Sequence, residues 1–240
     1  MTWHIIQGSE GCSYAVEHGA VAIVVDALRA SATAAMLLDA GVTDIIAVTE
    51  VAEAFAAQRE FPDALLFGER GGLPPEGFDY GNSPQTVGVA AGRKVIFTTT
   101  TGAGRLVACW GAHALYMGTT VNAAAVAHAA AAHGTDVVLI PAGLSTDPSF
   151  SAQEDWVAAC VIAQRAGYSI GVGNEAFDYW TQRMETEGVA ALFASAPHAD
   201  KLRAVGLESD IAYCAQEDLT DAVPRAVACN EYGVHVQQRK

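Results

Sequence analysis

The chain is poor in charge, and the charge it carries is one-sided. Only 17 % of its 240 residues are Asp, Glu, Lys or Arg, and 13 basic residues face 27 acidic ones. A disordered chain is rich in charge and poor in apolar residues. Here 51 % of residues are apolar, enough to bury a sizeable core. A net charge of −14 argues against a nucleic-acid or anionic-membrane partner, since both reward basic patches. Cysteine is also scarce: the five residues Cys12, Cys109, Cys160, Cys214 and Cys229 form no CxxC pair and are odd in number. They read as reduced thiols of a cytoplasmic protein. No basic segment leads into an apolar one near Met1, so no signal peptide is expected. The Ala-rich run from Ala123 to Ala132 is broken by His128 and falls short of the ~20 residues a bilayer requires.

Several motifs are missing as well. The histidines form no HExxH or HxH, and His128 and His133 do not share a helical face, which argues against a His metal site. There is no GxxxxGK[ST] loop and no C-x5-R spacing. The second acid of an aspartyl-phosphatase motif is absent, because Leu28 occupies the position two after Asp26. Gly102-Ala103-Gly104 opens a helix as a dinucleotide fingerprint does. It lacks the third small residue, being Val107 there, and no acid follows before Asp136.

What is present is an alternation. Apolar β-branched runs at 20–25, 44–48, 64–67, 95–97, 114–117 and 137–140 read as strands. Helical stretches at 31–40, 51–60, 102–110, 121–133 and 151–166 come between and after them. Continuous apolar runs suit strands buried on both faces, and their alternation with helices indicates a parallel sheet in an α/β layer fold. Beyond residue 170 the pattern weakens. Short surface helices are expected at 174–183, 188–195 and 198–204, forming a helical elaboration. Strands are expected at 211–215, 226–229 and 234–237, antiparallel at a sheet edge. No linker divides the chain, so residues 1–240 read as one domain.

In open parallel sheets, ligands bind beyond the carboxyl ends of the strands. Those ends carry Asp26, Arg29 and Ser31; Glu69 and Arg70; Thr99, Thr100, Thr101 and Gly102; and, after Pro141-Ala142-Gly143, Glu154 and Asp155. Hard oxygen ligands such as Asp26, Glu69, Glu154 and Asp155 suit Mg²⁺. Arginines and helix N-termini suit phosphate, and the two together suit phosphoryl transfer. Each residue also has a plainer role. Asp26 fits a turn or N-cap. Ser151-Ala-Gln-Glu154 fits a capping box, and Asp155 favours the helix dipole. Asn82-Ser83-Pro84 fits an N-cap with proline at the first helical position. Arg29 fits a solvated helix charge, and the threonines fit a strand end.

Taken in order, these stretches resemble the 2-phosphosulfolactate phosphatase family. The resemblance rests on Val24-Val-Asp26-Ala-Leu-Arg29-Ala-Ser31-Ala-Thr33, Gly68-Glu69-Arg70-Gly71 and Gly77-Phe-Asp-Tyr-Gly-Asn82-Ser83-Pro84. It continues through Thr98–Gly102, Pro141–Gly143, Ser151–Asp155 and the segment from Leu202 to Pro224. The family resemblance implies a Mg²⁺-dependent phosphatase of three-layer α/β fold, dimeric, that converts 2-phospho-3-sulfolactate to 3-sulfolactate and phosphate on the way to coenzyme M. It implies Asp26, Glu69 and one of Glu154 or Asp155 at the metal, with Arg29, Arg70 and Thr99–Thr101 gripping anionic groups. Ser31, Asn82 and Ser83 would place substrate oxygens or order the loops. One departure stands out. The family reads Thr-Thr-Asn-Gly-Thr where this chain has Thr99-Thr100-Thr101-Gly102-Ala103. The alternative is a non-catalytic protein that binds a phosphate ester on the same scaffold.

Overall fold

The computed structural model describes residues 1–144, 147 and 150–239. The first turn of the chain already departs from expectation. A three-residue strand, β1 (Trp3–Ile5), precedes helix α1 (Gly8–Glu17), and neither is legible as a run or a period of useful length. Then follow β2 (Val21–Val25), α2 (Ala30–Asp39), β3 (Asp44–Val48), α3 (Val51–Glu60), β4 (Leu65–Gly68), β5 (Lys94–Thr98) and α4 (Gly102–Ala108). The second half holds β6 (Ala114–Met117), α5 (Ala123–Ala131), β7 (Val137–Pro141) and α6 (Gln153–Ala166). The expected helical elaboration is α7 (Asn174–Glu187), α8 (Val189–Ala194) and α9 (Pro197–Ala204). It is followed by α10 (Glu208–Cys214), β8 (Pro224–Asn230) and β9 (Gly233–Gln238).

Among the described residues the strands form one sheet of nine, in the order β1-β7-β2-β6-β8-β9-β3-β5-β4. The group β1, β7, β2 and β6 is parallel throughout, as is the group β3, β5 and β4. Between them lies the antiparallel β8–β9 hairpin. This corrects the expectation of an antiparallel edge. β8 meets β6 through Tyr116 and Arg225, and β9 runs beside β3 from Ala47 to Ile45. Of the residues expected to form a strand at 211–215, 211–214 belong instead to α10 and Ala215 caps it. Ile211, Cys214 and Ala215 are buried, a three- and four-residue spacing that fits a helix face.

Alternate residues of each strand enter opposite layers, so the mostly parallel sheet is covered on both faces. Val21, Ile23 and Val25 pack with α5, α6, α8 and α9 on one side. Ala22 and Val24 pack with α1, α2 and α4 on the other. A smaller cluster places α3 on Ile46, Val48, Leu66 and Ile96. Burying a Val or Ile side chain contributes about 1.5–3 kcal/mol, which is why these runs settle as central strands. The three antiparallel junctions set the two parallel groups in opposite directions, yet the loops that follow β2, β4, β5 and β7 converge, and the site lies there. No helix among the described residues is long and apolar enough to cross a membrane.

Candidate active site

A cavity of about 330 Å³ opens where these loops meet. Asp26 enters it from the end of β2, Glu69 from the end of β4, and Thr100 and Thr101 from the turn between β5 and α4. Asp155 reaches it from the first turn of α6, and Asn82 from the loop after β4. Helix α9 supplies a wall with His198, Lys201 and Leu202.

The turn after β2 is self-bracing. The Asp26 amide donates to Ser31 Oγ at 3.0 Å, and that hydroxyl donates to the Val24 carbonyl at 3.1 Å. Asp26 Oδ1 accepts from the Ala30 amide at 3.2 Å. Asp26 thus serves the start of α2 while its other oxygen is left for the cavity. Gly102 makes room for that oxygen: a Cβ there would stand 2.7 Å from Asp26 Oδ2 and 2.9 Å from Ala30 Cβ. Fully buried Ser31 is spent on the turn and does not reach the cavity lining.

Asp155 and Glu69 are clasps. Asp155 Oδ1 accepts from the Ala27 amide at 2.8 Å and Oδ2 from the Gly143 amide at 3.0 Å, tying α6 to the ends of β2 and β7. Glu69 Oε2 accepts from the Gly72 amide at 2.9 Å and Oε1 from the Thr100 amide at 2.7 Å. Thr99 Oγ1 accepts from the Ala103 amide at 3.1 Å, bracing the start of α4 rather than facing the cavity.

The capping box expected at Ser151 does not form. α6 begins after Ala152 without a side-chain cap, and Glu154 Oε1 accepts from His198 Nδ1 at 3.0 Å. Glu154 Oε2 is buried with no hydrogen-bond partner. No helix starts at Pro84 either. Ser83 Oγ accepts from the Gln85 amide at 3.3 Å in a turn and donates to Asp210 Oδ1 at 2.8 Å. Asn82 is buried and lines the cavity, and its Oδ1 also has no partner.

The two arginines differ from expectation in what they hold. Arg29, joined to Leu28 by a cis peptide, is almost wholly buried rather than a solvated helix charge. Its Nη1 donates to Asp210 Oδ2 at 2.5 Å and its Nη2 to the Gly72 carbonyl at 2.9 Å. Arg70 turns beneath the site. It donates to the carbonyls of Glu69 and Thr49, both at 2.7 Å, and to Thr98 Oγ1 at 3.1 Å. The structure therefore brings Asp26, Arg29, Glu69, Asn82, Thr100, Thr101 and Asp155 to one cavity, and leaves Ser31, Arg70, Ser83, Thr99 and Glu154 behind its walls.

The electrostatics follow from crowding of like charge. Burial pushes the Asp26 carboxyl up to about 6, and the charges of Glu69 and Glu154 add to it. His198 and the Ala30 amide oppose the shift. Asp155 is raised well above the ordinary carboxylate range, by burial first and then by Glu154 and Asp26. Burial alone would lower His198, yet its hydrogen bond to Glu154 and the charges of Glu154 and Asp26 raise it. A cation placed among these carboxylates would reverse their shifts. Among the described residues no three such side chains lie close enough to hold a metal by themselves. Mg²⁺ asks for less, typically one or two carboxylates with water and substrate oxygens completing the shell. Asp26 with its free oxygen fits that requirement.

His198, Lys201 and Asp210 lay outside the sequence-based candidates for the site. The one available signal for Asp210 was its place within the segment from Leu202 to Pro224.

The family profile described as 2-phosphosulpholactate phosphatase matches residues 9–228. The chain belongs to the 2-phosphosulfolactate phosphatase family. That is a family of phosphoric monoester hydrolases. Relatives named probable 2-phosphosulfolactate phosphatase include one from Deinococcus radiodurans, 37 % identical over 86 % of this chain and 88 % of that protein. Another, from Carboxydothermus hydrogenoformans, is 34 % identical over 84 % of each chain. A third, from Gloeobacter violaceus, is 33 % identical over 90 % of this chain and 91 % of its own.

Proposed function

We propose that the protein is a Mg²⁺-dependent phosphatase that hydrolyses 2-phospho-3-sulfolactate to 3-sulfolactate and phosphate. One observation carries the reading: Asp26 presents a carboxylate oxygen with no donor among the described residues into a cavity at the carboxyl ends of parallel strands. Asp26 would hold the cation, with Glu69 and Asp155 lining the cavity beside it and Glu154 adding negative charge from behind the wall. Bound there, Mg²⁺ supplies positive charge for the phosphoryl oxygens and activates water.

The protein's own residues do the rest. Thr100 and Thr101, just before α4, orient the phosphoryl group, which gains charge-assisted hydrogen bonds from their hydroxyls. Asn82 Oδ1 and its amide partner atom are set to position a substrate hydroxyl or water. Glu69 and Asp155 keep the loops at fixed separation by holding backbone amides on both sides of the cavity. His198, held by Glu154, is placed to give a proton to the leaving alkoxide.

The test is to titrate Mg²⁺ into metal-free protein with 2-phosphosulfolactate as substrate. Phosphate release should appear with the cation, and Asp26→Asn should lower kcat at least about 100-fold. A metal-free protein as active as the loaded one, or an Asp26→Asn variant as active as wild type, sinks the proposal. Binding of the ester without turnover identifies the non-catalytic alternative.

A further inference from the structure

We propose that Lys201 is the specificity-determining residue that pairs with the sulfonate of the substrate. The proposal rests on the reading of the cavity as a 2-phosphosulfolactate site. It starts from an accounting of positive charge around the cavity. Arg29 lines it, but the buried carboxylate of Asp210 and the Gly72 carbonyl already occupy its guanidinium. Arg70 is spent on three protein acceptors beneath the site. His198 gives its Nδ1 to Glu154 and is already assigned to the leaving oxygen.

Lys201 is the exception. It stands one helical turn from His198 on α9, on the same face, and lines the cavity. Its ammonium rests 4.6 Å from the centroid of the Phe150 ring, and no ion pair engages it among the described residues. A cation resting on an aromatic face gives up little when an anion arrives, since an exposed contact of this kind is weak.

The chemistry of the ligand matches. A sulfonate is a strong acid with three oxygens in a tetrahedral array, charged at every physiological pH. An ammonium is a compact point charge with three rotatable donors, free to turn toward the oxygens of such a group. The protein's net charge of −14 repels an anion at long range, so recognition of the anionic groups beyond the phosphate falls to local cations. The phosphate end is served by the residues at the strand ends. The sulfonate is then met by a residue on a different element, α9.

The experiment compares two esters, 2-phosphosulfolactate and 2-phospholactate, which differ by the sulfonate. Wild type, Lys201→Gln and Lys201→Arg are assayed with both, at saturating Mg²⁺. Wild type should have the lower KM for the sulfonated ester. Lys201→Gln should raise that KM about 10-fold or more, with a much smaller change in kcat. The KM ratio between the esters should fall toward one, and Lys201→Arg should recover part of it. Equal rises in KM for both esters, or a loss confined to kcat, overturn the proposal while leaving the phosphatase reading intact. A wild type that hydrolyses neither ester overturns both. Thermal melting of each variant checks the fold, which the exposed position of Lys201 should leave unchanged.

Discussion

Arg29 Nη1 donates to Asp210 Oδ2 at 2.5 Å across 181 residues of chain, with each side chain only 2 % exposed. The pair fastens α10 to the turn after β2. Asp210 is fully occupied, for it also accepts from Ser83 Oγ and Gln85 Nε2, both at 2.8 Å. A buried pair satisfied in this way contributes little net stability, but removing one partner leaves an uncompensated charge.

Asp210→Ala should therefore destabilise the fold by about 3–5 kcal/mol. It should also loosen the site, because Arg29 would be free to seek other anions in the cavity. Asp210→Asn keeps the shape and one acceptor and should lose less. Urea denaturation of the three proteins measures this. An Asp210→Ala variant within about 0.5 kcal/mol of wild type would show that the pair is dispensable.

Two glycines of α4 make opposite predictions from the same substitution. Alanine at 102 would drive a Cβ against Asp26 Oδ2 and Ala30 Cβ. Overpacking of this kind costs about 1–3 kcal/mol, and here it also displaces the carboxylate. Gly102→Ala should lower phosphatase activity at least tenfold, about 1.4 kcal/mol of transition-state stabilisation. Alanine at 104 meets nothing within 4 Å. Gly104→Ala should stabilise the helix by about 0.5–1 kcal/mol and leave activity intact. Equal effects at both positions would refute the packing argument.

Acid sensitivity at α3 follows from Glu53. Its Oε2 accepts from the Thr49 amide at 3.0 Å, the Thr49 hydroxyl at 2.7 Å and the Glu50 amide at 2.9 Å. The Thr49 hydroxyl and the two amides hold its carboxyl below its ordinary value of 4.5. A carboxyl lowered in the folded state adds stability that is fully present above 4.5. That stability is lost as pH falls through the folded value. Glu53→Gln should be less stable than wild type at pH 7 by no more than about 1 kcal/mol, since the group is exposed and screened. The gap should close on acidification below 4.5. Paired denaturation curves at pH 7 and pH 3 decide it; a constant gap contradicts the linkage.

How much of this was legible beforehand depended on the range of the interaction. The strands of the parallel groups were legible because burial on both faces leaves an apolar run. Asp26 and Glu69 were legible because each directly follows the carboxyl end of such a strand, and Asp155 because it opens the helix after β7. The roles of Arg29 and Arg70 were not, since a guanidinium shows its partner nowhere in its own neighbourhood. Glu154 was read locally as a cap, whereas its partner His198 lies 44 residues on, in a region of weak periodicity. The same distance hid Lys201. The hairpin at 224–238 was recognisable as strands, but no local signal says that its place is between two parallel groups.

That placement has a consequence for synthesis. A chain emerging from the ribosome delivers β6 and β3 long before β8 and β9 exist to pair with them. Until then each parallel group presents an open flank, one at β6 and the other at β3, of the kind that recruits stray strands from other chains. The β8–β9 hairpin closes both flanks at once. A chain that has not yet made residues 224–238 therefore carries two unpaired strand edges where the complete sheet has none between its parallel groups.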